Sequence, residues 1–236
     1  MILGIETSVD HVGVAVGDYR GIRAHSMLAS DRRHAESLTP MIQFVLQQAD
    51  ASMADLSAIA VDVGPGLFTG MRVGIASAAS LAWALELPVV PVCSLDALAM
   101  NAEWSDNVVA ASLDARRGEV YWSLYRYIDG KLRQVTTPKA STVEECALQT
   151  IDRGQSTLFV GNGALRYRNE IELVVAGVLP SFEFADEMSS LPTAVVLAQI
   201  AHERALRQDW QEADTLVPEY LRLPDAEINW ATRSAS

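Results

Sequence analysis

Three short stretches carry residue types that can do chemistry: Glu6-Thr7-Ser8, Asp114-Ala115-Arg116-Arg117, and the loop "GPGLFTG" from Gly64 to Gly70. An acid at the end of an apolar strand, followed by a glycine-rich, hydroxyl-bearing turn, can hold a hydrated divalent cation while the backbone cradles a phosphate. Glu6-Thr7-Ser8 has the acid and the hydroxyls but no glycine. Asp114 is followed by two bulky cations where a phosphate turn needs glycines. In the loop, Gly64 and Gly66 flank Pro65, which fixes its own φ while its neighbours stay free. Thr69 offers a hydroxyl that can cap the helix that follows, and a glycine loop at a helix start can hold an anion. No lysine follows Gly70, so the loop is not of the Walker type. Glu6, Thr7, Ser8, Gly64, Gly66 and Thr69 are therefore the expected nucleotide or anion contacts. A purely structural loop carrying a helix cap is the competing reading.

Metal and nucleophile chemistry find less support. The four histidines, His11, His25, His34 and His202, include no pair at the four-residue spacing that points two imidazoles at one ion. In "RRHAESL", Glu36 lies two residues after His34 and points elsewhere on a helix, so His34 reads as a helix-start surface residue. No metal site is expected, and no Ser-His-Asp or Cys-His set can be assigned. Cys93 and Cys146 are few and far apart, as ordinary reduced thiols are. "VGNGA", Val160 to Ala164, reads as a strand-ending turn.

These residues need elements to position them. "ILGIETS", "HVGVAVGD" and "IRAHSMLAS" read as three strands of an antiparallel meander. From His34 to Ala49 the apolar residues Leu38, Met41, Ile42, Val45, Leu46 and Ala49 follow one helical stripe. A strand "LSAIAVDV", the glycine loop with its helix, and a short strand "PVVPV" complete a mixed sheet flanked by helices. The chain then begins again. Placing "GIETSVDHVGVAVGDYRG" over "SLDARRGEVYWSLYRYIDG" sets Glu6 on Asp114, Val12 on Val120, Val14 on Trp122 and Val16 on Leu124, an internal duplication. The expected lobes are 1–105 and 106–236, with the final segment able to pack back on the first. A helical stretch after Ser141, a strand "STLFVGNGA" and a helix from Thr193 fill the second.

The helix after the glycine loop has almost no polar face. Gly70, Gly74 and Ala78 recur every four residues, a small-residue stripe that permits another backbone to come close. Val73, Ile75, Ala76, Ala79 and Trp83 make the other sides apolar or small as well. Such a helix must be buried on more than one side, and the expectation is that a partner completes the burial.

Composition sets the outer bounds. Of 236 residues, 50% are hydrophobic and 20% charged, as in folded globular chains. The net charge is −12, with 5 basic against 11 acidic side chains through Ser105 and 13 against 19 after it. An evenly acidic surface repels phosphate backbones, so RNA or other nucleic acid is expected to be met only indirectly. The longest nearly uncharged run, Val73 to Leu85, is too short to span a membrane. The first residues carry no basic leader, so a cytoplasmic protein is expected.

Two duplicated sheets, each with a strand-end acid, describe the actin-like (ribonuclease H-like) ATPase fold, an α/β class with two lobes. The stretches "GPGLFTGMRVG", "PVVPVCSLDALA", "LDARRGEVYW" and "PEYLR" resemble the TsaB (YeaZ) family, and the resemblance covers most of the chain. It implies a non-catalytic partner of TsaD, which would supply metal and catalytic residues. The reaction would place a threonylcarbamoyl group on N6 of the adenosine at position 37 of tRNAs reading codons that begin with A. It also implies a TsaE ATPase on the assembled pair, a homodimer when the chain is alone, and no firmly bound cofactor, with ATP or ADP confined to the assembled complex. The helix pair would form the interface, through Leu38, Met41, Ile42, Val45, Phe68, Gly70, Met71, Gly74, Ala78 and Leu81. The rival readings are an ATP-dependent phosphotransferase using Glu6 and Asp114, and a purely homodimeric interaction protein.

Overall fold

The computed structural model describes residues 1–29 and 34–222. Strand β1 (Ile2–Glu6) is buried along its whole length and forms the centre of the first sheet. Strand β2 (His11–Asp18) pairs with it antiparallel, and β3 (Gly21–Ala29) follows as an edge strand. On the other side β4 (Ala58–Gly64) and β5 (Val89–Cys93) run parallel to β1, giving the order β3-β2-β1-β4-β5. Helices α1 (His34–Gln48) and α2 (Phe68–Leu85) cover one face, closing a core of Leu3, Ile5, Val12, Val14, Val16, Ile59 and Val61.

The second sheet repeats this plan. Its strands are β6 (Val108–Arg116), β7 (Glu119–Ile128), β8 (Lys131–Gln134), β10 (Thr157–Val160) and β11 (Phe182–Phe184), in the order β11-β10-β6-β7-β8. Strand β9 (Lys139–Thr142) adds a pairing to β7. Helices α4 (Val143–Ile151), α5 (Asn162–Arg166) and α6 (Arg168–Val175) lie beside this sheet, and Val143, Ala164 and Ile171 enter its core. Thr142 caps α4 by accepting a hydrogen bond from Glu145 N at 3.2 Å.

Helix α3 (Ser94–Met100) joins the two halves: Ala97 enters the far-face core of the first sheet, while Leu95 and Leu98 pack on the second. Helix α7 (Ala194–Leu206), capped by Thr193, returns to that far face of the first sheet. Gly4 is required there, because a Cβ would run into the Ala194 carbonyl. Among the described residues no helix is long and apolar enough to cross a membrane.

The strand orders repeat, but the overlay of the two acids does not hold. Val12, Val14 and Val16 do occupy the places of Val120, Trp122 and Leu124, each set buried under its own sheet's helices. Glu6, however, pairs with Gly13, whose counterpart is Tyr121, and Tyr121 pairs with Leu113. Glu6 therefore corresponds to Leu113, and Asp114 corresponds to Thr7. A one-residue difference in register turns a side chain to the opposite face of its sheet. The two acids therefore lie on non-equivalent faces of their respective sheets.

Candidate functional site

A polar cleft of about 380 Å³ separates the two halves. One wall is the β1–β2 turn (Ser8, Val9, Asp10) with Gly66 and Leu67 of the glycine loop; the other is Leu113, Asp114 and Arg116 with Asn162 and Arg166. The Ser8 carbonyl accepts a hydrogen bond from Leu67 N at 2.6 Å. A Cβ on Gly66 would collide with that same carbonyl, so the glycine is needed for the loop to close on the turn.

On the opposite wall, Asp114 organises its own hairpin. Its Oδ1 accepts from Arg116 N at 2.8 Å and from Tyr167 Oη at 3.1 Å, and its Oδ2 meets Arg166 Nη1 at 3.1 Å. Asn162 Oδ1 accepts from Asp114 N at 2.9 Å. Arg116 and Arg117 have φ of 66° and 57°, left-handed values that side chains adopt at a cost, in a turn closed by Gly118 at 79°. Where a phosphate hairpin would present free N–H groups beside glycines, this one presents two arginines and spends a backbone N–H on its own aspartate. Arg166 stays 63% exposed, so its pairing with Asp114 leaves it open to a second anion.

Behind the first wall lies a buried pair of carboxyls. Glu6 Oε1 accepts from Ser8 N at 2.6 Å and lies 2.8 Å from Ser8 Oγ. Asp62 Oδ1 accepts from Gly64 N at 2.7 Å and from Ser94 Oγ at 2.5 Å, and Asp62 Oδ2 lies 3.0 Å from Ser8 Oγ. Glu6 and Asp62 are 1% and 0% exposed, and Glu6 Oε2 has no protein donor. Burial, and then the negative charge of Asp62, push Glu6 well above the usual carboxylate range; burial also raises Asp62. Two buried charges this close cannot both persist, so the pair holds a proton, with Glu6 the better holder because the serines and Gly64 N stabilise Asp62 as the anion. Asp62 is an acid near the end of an apolar strand, as Glu6 is at the end of its own, and the same signal marks it in the sequence; Ser94 carries no such signal.

The expected contacts divide accordingly. Ser8 and Gly66 line the cleft, Glu6 lies behind it, and Gly64 is spent on the loop. Thr7 is fully buried and donates from Oγ1 to the Gly70 carbonyl at 2.8 Å. Thr69 does not cap α2: the cap position is Leu67, without a side-chain bond, and Thr69 faces outward. Nor is His34 a surface residue; it is 7% exposed, and its Nε2–H donates to the Val9 carbonyl at 3.0 Å, fastening α1 to the cleft turn. Cys93 and Cys146 are free thiols. Among the described residues no group of three or more His, Cys, Asp or Glu side chains can hold a metal ion.

The expected interface residues mostly turn inward. Leu38, Met41, Ile42, Val45, Met71 and Ala78 belong to the core beneath the first sheet. Gly70 backs on to the Thr7 carbonyl and Gly74 on to Thr7 Oγ1, so what approaches the small-residue stripe is the chain's own Thr7, just after β1. In the chain by itself these side chains are buried. Phe68 and Leu81 remain half-buried. The outward face of α2 is instead Thr69, Arg72, Ala76, Ser80 and Trp83, with Trp83 80% exposed. On neighbouring α1, Phe44 is 50% exposed.

Two sheets with one strand order, facing each other across a polar cleft, define a two-lobed protein of the actin-like fold. The sequence profile of the TsaD family, tRNA N6-adenosine threonylcarbamoyltransferase, matches residues 22–230. The tRNA threonylcarbamoyladenosine biosynthesis protein TsaB of Bacillus subtilis (strain 168) is 31% identical over 97% of both chains. The protein of that name from Escherichia coli (strain K12) is 40% identical over 53% of this chain and 54% of its own. YeaZ from Pseudomonas aeruginosa superposes with a TM-score of 0.76 at 28% identity, over 93% of this chain and 99% of that one. The chain belongs to the TsaB (YeaZ) family.

Proposed function

We propose that this chain is a non-catalytic subunit of tRNA threonylcarbamoyladenosine biosynthesis that docks on TsaD through the outward face of α2. The observation that carries this reading is the stripe Ala76, Ser80 and Trp83: small side chains that let a second helix come near, ended by an exposed indole able to anchor it. Support for a non-catalytic role comes from the second hairpin, where Arg116 and Arg117 stand in place of phosphate-binding glycines. TsaD would then transfer the threonylcarbamoyl group to N6 of adenosine 37 in tRNAs reading codons that begin with A. ATP or ADP, and the TsaE ATPase, belong to the assembled complex; tRNA is met indirectly, in the cytoplasm. A homodimer of the free chain would use the same α2 face and give way to TsaD.

The test is to mix the purified chain with TsaD and to measure complex mass and modification activity. The reading expects a defined heteromer, dissolution of any homodimer, and no threonylcarbamoyl transfer by the chain alone. Robust transfer by a preparation free of TsaD, or no complex at all, would remove it.

A further inference from the structure

The chain beyond α7 crosses from one lobe to the other along a path with fixed points. Gln211 exchanges two backbone hydrogen bonds with Val89 at the edge of β5, at 2.8 and 2.9 Å. Ala213 and Leu216 pack against the first core. Glu219 N donates to the Val63 carbonyl at 2.7 Å, where β4 ends and the glycine loop begins. Tyr220 then stacks on Phe68 with ring centroids 5.3 Å apart, and its Oη accepts from Arg72 Nε at 2.8 Å. The Arg72 guanidinium covers Phe68 at 3.9 Å. Two residues on, Arg222 Nη1 donates to Glu119 Oε2 at 2.6 Å and to the Ala115 carbonyl at 3.3 Å, in the hairpin that carries Arg116 into the cleft.

We infer that Tyr220 and Arg222 are positioning residues that form a two-ended tie, through which the second lobe sets the placement of the first turn of α2. The tie is short: two residues of extended chain span at most about 7 Å, and the Arg222 side chain is held at two acceptors, so a shift of the Ala115–Glu119 hairpin is passed toward Tyr220. The first turn of α2 is receptive to that pull. It has no side-chain cap and no acid near its N-terminus, so contacts from outside the helix hold it. Those contacts include Thr7 on Gly70, Ser8 on Leu67, and Tyr220 on Phe68 and Arg72. The first two come from the first lobe; Tyr220 is the contact linked directly to the second. The consequence for partner binding rests on the docking reading given above; the tie itself does not.

Hydrogen exchange on the full chain tests it, with wild type compared to Arg222→Ala, Arg222→Lys, Tyr220→Phe and Tyr220→Ala. Arg222 holds the hairpin at Ala115 and Glu119, and Arg222→Ala is expected to speed exchange of amides 71–74 about 5- to 30-fold, with β2 amides unchanged. Tyr220→Ala should do the same; Tyr220→Phe, which keeps the ring, and Arg222→Lys, which keeps the charge, should fall between. If Arg222→Ala alters exchange only in residues 114–120, or raises it equally in β2, the tie is overturned. Sedimentation of the same variants separates the two claims. Faster exchange at 71–74 with undiminished self-association and TsaD association leaves the tie standing and shows that the first turn of α2 does not govern docking.

Discussion

Gly74 leaves no room for a side chain beside the hydroxyl of Thr7, and one turn earlier Gly70 leaves none beside the Thr7 carbonyl. Strand β1 and helix α2 can meet this closely because neither glycine carries a side chain. Thr7 cannot yield, since its hydroxyl is committed to the Gly70 carbonyl and its side chain is β-branched. Gly74→Ala therefore costs about 1–3 kcal/mol of overpacking, against roughly 1 kcal/mol gained in helix propensity. Gly70→Ala meets main chain instead of a side chain and should be the more damaging of the two. Urea denaturation of both variants measures the difference; a Gly70→Ala protein as stable as wild type would show that α2 can slide away from β1.

Ala76 and Trp83 give the opposite pattern. Both are exposed, so Ala76→Arg and Trp83→Arg should leave the denaturation midpoint within about 0.5 kcal/mol of wild type. Each should weaken association with TsaD, and any self-association, by about tenfold or more, because a buried charge replaces an anchor or a close contact. Sedimentation velocity reads both effects. Wild-type association in both variants would move the interface away from this face.

The acidic balance predicts weak contact with RNA. At net charge −12, the isolated chain should bind tRNA with a Kd weaker than about 10⁻⁴ M at physiological salt. The exposed arginines at the cleft rim, Arg116 and Arg166, are the local exception to the acidic field. Tight binding that falls steeply with added salt and vanishes in Arg116→Ala would locate a tRNA contact there.

Apolar strand patterns were enough to read two mixed sheets and their repetition, because a strand buried on both faces writes itself as a continuous apolar run. The register was not legible to one residue, so the overlay of Glu6 on Asp114 missed that Thr7 holds the equivalent position. The glycine stripe announced a close backbone contact but not whose backbone; that depends on β1, more than sixty residues away in the chain. His34 went astray for a similar reason, since the Val9 carbonyl it needs is 25 residues earlier. The segment from Gln211 to Arg222 has no periodicity, being held by single contacts at separate points, and periodicity is the signal that sequence reading uses.

The carboxyl pair makes stability depend on pH in a definite direction. Glu6 is raised well above 4.5 in the folded chain, so the unfolded chain releases its proton at lower pH. Stability from the protonated pair is therefore fully present below the ordinary carboxylate value and is lost as pH rises through the raised one. Glu6→Gln mimics the protonated acid: its carbonyl oxygen can still accept from Ser8 N, and its amide can face Asp62. It removes one titrating proton, and with it up to about 1.4 kcal/mol of stability loss per pH unit across that window. Urea midpoints taken in steps from about pH 5 to about pH 9 should fall with pH in wild type and run flatter in Glu6→Gln. Equal slopes in wild type and Glu6→Gln would mean that Glu6 carries no proton at neutral pH, and that Ser8 and its neighbours hold both carboxylates as anions.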